Sequence, residues 1–142
     1  GSDNPGGGND NPGGNNDDSD DEIMSNKLRI TIGSSSFDAT LEDNETVKAF
    51  KKLLPMTVNM PDLNRNEKYY YLSGSLPTAA SNPGTILTGD LMLYGSNCVV
   101  LFYESFSTSY SYTRLGRVNN SSGLASALGS GSVTVTFELQ KE

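Results

Sequence analysis

The chain of 142 residues has no histidine, no tryptophan and one cysteine, Cys98. Without histidine there is no Ser-His-Asp or Cys-His catalytic arrangement, and a His- or Cys-based zinc site lacks its ligands. No metal or cofactor is expected. One cysteine cannot form a disulfide within the chain. Cys98 sits between Asn97 and Val99 with no cation adjoining it in sequence to lower its pKa, and so reads as a small core hydrophobe. No apolar run approaches the roughly 18 residues of a membrane span. A net charge of one sign is also missing from most of the chain. The formal charge is −7, but seven of the 17 acids fall within residues 1–22, which hold no base. The ten that remain balance the ten lysines and arginines. A neutral domain has no electrostatic footprint for nucleic acid or an anionic membrane, so neither is an expected partner.

What is present divides in two. Residues 1–24 are built almost wholly from Gly, Asn, Asp, Pro and Ser, and residues 25–142 carry the apolar pattern of one domain. The first segment has no apolar surface to offset its ordering entropy and is expected to be a disordered acidic tether, reaching on the order of 25 Å. Its spacing matches neither an EF-hand loop nor a nonapeptide calcium repeat. It resembles the spacers that follow the lipid-modified cysteine of bacterial surface lipoproteins, although that cysteine is not in this sequence. The leading Gly-Ser reads as a cloning remnant. The expected location is therefore the bacterial cell envelope or the exterior, with the cytoplasm as the alternative. Membrane contact is expected only through a lipid anchor outside this chain.

From Lys27 onward the alternation is that of strands. Leu28, Ile30 and Ile32, then Phe37, Ala39 and Leu41, predict a hairpin turned at Gly33-Ser34-Ser35. Asn44 is a candidate N-cap, and Val47, Phe50, Leu53 and Leu54 predict one helix of about three turns, stopped by Pro55. Met56, Val58 and Met60 predict a strand closed by Pro61. Asn64-Arg65-Asn66 is a turn, and Lys68 to Leu72 is a strand whose three tyrosines must split between two faces. Those tyrosines are either ordinary strand residues with solvated hydroxyls or a ligand-stacking surface. Residues 73–85 read as a loop. Leu91 and Leu93, then Val99 to Tyr103, predict two strands around the Gly95-Ser96-Asn97 turn. Ser121 to Leu128 predicts a short helix capped by Gly129, and Val133 to Leu139 a final strand. About eight short strands with one or two helices argue for a mainly β barrel or sandwich.

The run from Tyr103 to Arg117 is the candidate site. Tyr103, Phe106, Tyr110 and Tyr112 offer apolar walls, Ser109 offers a donor, and Arg114 and Arg117 offer cations suited to an anionic or amide-bearing ligand. The plainer reading is strand chemistry, with arginines bonded to carbonyls. Glu104 and Asp90 are too isolated in sequence to form an acid/base pair.

Four segments carry a resemblance: TLEDNETVKAFKKLLP (residues 40–55), GDLMLY (89–94), VLFYESFSTSY (100–110) and LGRV (115–118). In order and spacing they resemble the bacterial cyclophilin-like family, across nearly all of residues 27–139. The resemblance implies a closed, mostly antiparallel β-barrel of about eight strands with helices covering its ends. It does not imply prolyl isomerase activity. Authentic cyclophilins carry a Phe-His-Arg motif, a Gln-Gly-Gly-Asp motif and a tryptophan, and this sequence has none of them. The expectation is a monomeric, non-enzymatic binding module of the envelope, taking a peptide or small-molecule ligand near Arg114 and the tyrosines. A divergent peptidyl-prolyl isomerase using Arg114 or Arg117 is the alternative, and a structural envelope component is the third.

Overall fold

The computed structural model describes residues 25–140; the tether expected over 1–24 lies outside the described residues. In chain order the elements are β1 (Lys27–Ile32), β2 (Ser35–Leu41), α1 (Glu45–Lys51), β3 (Met56–Met60), β4 (Asp62–Leu63), β5 (Glu67–Tyr71), β6 (Thr85–Ile86), β7 (Asp90–Tyr94), β8 (Cys98–Phe102), β9 (Phe106–Ser107), β10 (Thr113–Val118), α2 (Leu124–Leu128) and β11 (Val133–Leu139).

The predicted hairpin is β1–β2, with Gly33 at φ +59° in its turn, a conformation that costs glycine nothing. At α1 the Asn44 Oδ1 accepts from the Val47 N–H at 2.8 Å, while its Nδ2 donates to the Arg114 carbonyl at 3.1 Å. One side chain thus caps the helix and ties it to β10. The helix has two turns rather than three. Leu54 precedes Pro55, which disfavours helical backbone at that residue, and Leu53 is left exposed.

Nine strands form one antiparallel sheet in the order β3-β11-β1-β2-β10-β7-β8-β5-β4. The first and last of these are neighbours in sequence, separated only by Pro61. The sheet therefore curls until its two edges are a single stretch of chain, and the Tyr69 N–H donates to the Pro61 carbonyl across the seam at 3.1 Å. The product is a nearly closed antiparallel barrel. A proline suits this junction, where a ladder donor is not needed.

Alternate residues of the strands fill the interior, among them Leu28, Ile30, Leu93, Leu101 and Val135. The helices close opposite ends: Phe50 of α1 meets Phe137 edge-on at 6.3 Å, and α2 contributes Leu124 and Leu128. Near the α2 end lies a polar plug. Lys68 is fully buried, and its Nζ donates to Asp62 Oδ1 at 3.0 Å and to the Gly129 and Gly131 carbonyls at 2.8 and 2.6 Å. It also lies 5.2 Å from the Tyr103 ring centroid. Asp62 accepts in addition from the Tyr103 hydroxyl and from the Arg65 N–H. Burial pushes the Asp62 carboxyl up, but the bonds from Tyr103, Lys68 and Arg65 outweigh it and hold it below the ordinary range. Tyr103 is pushed up to about 12, by burial first and then by Asp62.

β10 changes register against β7 between Arg114 and Gly116. A Cβ at Gly116 would sit on the Thr40 carbonyl of β2, closer than real Cβ contacts come. Gly116→Ala is therefore expected to force β2 and β10 apart and cost about 1–3 kcal/mol. A urea unfolding curve with an unchanged midpoint would show the contact to be soft.

Candidate functional site

The outer wall of the barrel carries a second apolar cluster. Ile86, Met92, Cys98, Val100, Phe102 and Tyr112 are all buried, although each lies outside the central core. They are covered because the chain between β8 and β10 folds back over the sheet. β9 pairs with β6, the Thr108 N–H donates to the Gly84 carbonyl at 2.9 Å, and Ser81 and Tyr112 exchange two backbone bonds. The loop predicted over 73–85 is thus pinned at its far end. Phe106 and Tyr112 reach Phe102 with ring centroids at 5.7 and 5.5 Å.

Beside this cluster runs an open groove of about 510 Å³. Its floor is Cys98 and Val100, and one wall is the outer face of β5, with Glu67, Tyr69 and Tyr71. The opposite wall is Tyr94, Tyr110 and Tyr112 together with residues 106–109. The rings form two groups. Tyr69 meets Tyr71 edge-on at 5.8 Å, and Tyr94 meets Tyr110 at 6.0 Å and Tyr112 at 5.6 Å. Tyr71 and Tyr110 are each about three-fifths exposed, at 62% and 61%. Large apolar rings left in water on a monomer are a mark of recognition surfaces.

Among the described residues, Glu67 is the one charged residue lining the groove. It is only 8% exposed, and no described side chain ion-pairs with it or donates to it. Burial, followed by the negative charge of Asp62, pushes its carboxyl up to about 7. Burial likewise raises the Cys98 thiol and the Tyr112 hydroxyl, with the Glu67 charge adding to both. Cys98 is therefore a protonated, buried thiol on the groove floor, as its sequence context suggested. Asn66 also lines the groove, and its Oδ1 is buried without a hydrogen-bond partner among the described residues.

Of the seven residues singled out in the sequence, Phe106, Ser109, Tyr110 and Tyr112 gather at this groove. The other three do not join them. Tyr103 follows the outward Phe102 and so faces inward, into the Lys68 plug. Arg114 and Arg117 flank a separate depression with Thr40, Glu42, Val118 and Asn119. Arg117 Nε donates to Asp90 Oδ1 at 2.7 Å, and the fully buried Asp90 accepts the Leu87 N–H on its other oxygen at 2.9 Å. That arginine is a strut between β10 and the turn before β7. The expected aromatic–arginine cleft is thus an aromatic–glutamate groove. Sequence reading passed over Glu67 and Tyr94, and the triplet at 69–71 divides as its period required, with Tyr70 against the core. Among the described residues no three of His, Cys, Asp and Glu are grouped to hold a metal ion.

A nearly closed antiparallel barrel of nine strands with two helices is consistent with a cyclophilin-like fold. A sequence profile described as the cyclophilin-like family matches residues 30–138, and the chain belongs to that family. Its fold is shared by a hypothetical protein of Archaeoglobus fulgidus solved in solution. The two are 21% identical with a TM-score of 0.61, over 83% of this chain and 96% of the other. No curated protein matches the chain.

Proposed function

We propose that this domain is a non-enzymatic binding module that takes a peptide or small ligand in the tyrosine-lined groove and is held at the bacterial envelope by the acidic tether. The observation that carries the reading is the groove itself: half-exposed rings on both walls, a buried apolar floor and hydroxyl donors from Ser107, Thr108 and Ser109. Rigid rings offer a large contact area at little entropic cost, which suits a shallow site for an extended chain. The arginines on which a divergent isomerase would draw lie outside this groove.

The test is an NMR titration of the full chain with acetylated, amidated pentapeptides Ala-Ala-X-Ala-Ala, in which X is varied. Saturable shifts are expected at Tyr69, Tyr71, Tyr94 and Tyr110 for some X. Replacing Tyr71 and Tyr110 together by Ala should weaken that binding at least tenfold, since each stacked ring contributes on the order of 1 kcal/mol. Arg114→Ala should leave it within about twofold; a loss there would move the site to the arginine depression. If no X gives a saturable shift, the binding reading is wrong.

A further inference from the structure

We infer that the groove selects a ligand bearing an ammonium group, which donates N–H bonds to the Glu67 carboxylate while its stem lies between the tyrosine rings. This rests on the groove being the binding site and names what it recognises.

A carboxylate largely withdrawn from water needs a partner for its charge or else holds a proton, and buried carboxylates are ordinarily ion-paired or multiply hydrogen-bonded. The other buried acid of this wall, Asp90, has both an arginine and a backbone N–H. Glu67 has neither. The groups that face it from the elements packed around it are Asp62, Cys98 and Tyr112, with Tyr69 and Tyr71 on its own strand, and none is a cation. Lys68, next in sequence, points through the sheet to the opposite side. The unmet demand therefore opens on the groove.

The walls meet that demand in kind. Tyrosine faces carry negative electrostatic potential, and they attract a cation seated over them while repelling an anion. The Glu67 carboxylate asks for N–H donors, which a primary ammonium has and a quaternary one lacks. The lysine side chain of a peptide and a free alkylamine share this chemistry.

Proton linkage adds a signature. Near pH 7 the free carboxyl is about half protonated, so a cation that binds the charged form must displace that proton. Affinity should rise about tenfold from pH 6 to pH 8, following the ionised fraction of a group that titrates at about 7. The experiment compares Ala-Ala-X-Ala-Ala with X as lysine, as norleucine, which has a similar apolar stem without the charge, and as glutamate, and adds n-butylamine, on the full chain at both pH values. Lysine is expected to bind at least tenfold tighter than norleucine at pH 8, and glutamate not at all. Glu67→Gln should abolish both the preference and the pH dependence, so that lysine and norleucine bind that variant alike at both pH values. Butylamine binding as tightly as the lysine peptide would assign the source to small amines, and weaker binding would assign it to peptides. Equal affinity for lysine and norleucine would overturn the inference and leave the groove standing as a site. Loss of all peptides would overturn the groove reading itself.

Discussion

Replacing Lys68 by alanine should lower stability by about 3–5 kcal/mol, the usual cost of removing one partner from a buried ion pair. Three acceptors converge on its Nζ and each loses that donor: the carbonyls of Gly129 and Gly131, and the Asp62 carboxylate, which keeps the Tyr103 hydroxyl and the Arg65 N–H but loses its cation. The two carbonyls belong to the segment joining α2 to β11, so the ammonium also fastens that segment to β5 across the barrel end. In thermal unfolding the loss corresponds to a midpoint lower by on the order of 10 °C or more. Lys68→Met separates packing from charge. It fills most of the volume but leaves the Asp62 charge without its cation, and should be nearly as damaging as alanine. Adding Asp62→Asn to Lys68→Met should recover part of the loss. If the methionine variant unfolds where the native protein does, the plug holds nothing together.

Glu67→Gln should act in the other direction and stabilise the protein at pH 8. In the folded chain the carboxyl titrates near 7 instead of its ordinary 4.5. Between those values the folded state keeps a proton that the unfolded chain has released, so stability falls as pH rises through this window. Below pH 4.5 and above 7 this group contributes no further slope. A shift of that size corresponds to at most about 3 kcal/mol across the window, and water at the open groove screens part of it. Glutamine has no charge to develop, so the two proteins should be alike near pH 4.5 and diverge by roughly 1–2 kcal/mol at pH 8. Asp62 works with the opposite sign: its lowered carboxyl supports the fold above the usual carboxylate range and is lost below it, so the comparison belongs above pH 4.5. Parallel urea midpoints for the two proteins from pH 4.5 to 8 would contradict the buried position of Glu67. A residue that costs stability where it sits, and that faces a groove, is a frequent mark of a site kept for a ligand.

The barrel was legible because its longer strands alternate. Leu28, Ile30 and Ile32, or Val133, Val135 and Phe137, each show the period of two over enough residues to fix a face. The two-residue strands β4, β6 and β9 show no period at all, and they are pairings that the rest of the fold imposes. The candidate site was half legible for the same reason. Phe106, Ser109, Tyr110 and Tyr112 share a short segment, so proximity in sequence became proximity in space. Arg114 pairs across the sheet with Met92 instead, and Arg117 with Asp90, so β10 runs along β7 away from Tyr94. Glu67 reads locally as the end of a polar turn before a strand starting at Lys68. Its burial is produced by β8 and by a tyrosine 45 positions later in the numbering, which no local window contains. A strand begun one residue earlier would have put Glu67 on the face of Tyr69 and Tyr71.

The place of β11 in the sheet bears on how the protein is made. As the chain leaves the ribosome, β1 finds β2 at once, but the other edge of β1 and the matching edge of β3 must wait for Val133–Leu139. Until β11 emerges the nascent sheet is an open ribbon with two unsatisfied borders, and β11 then zips them together. That interval is when the chain is most exposed to pairing with a neighbour on the same message.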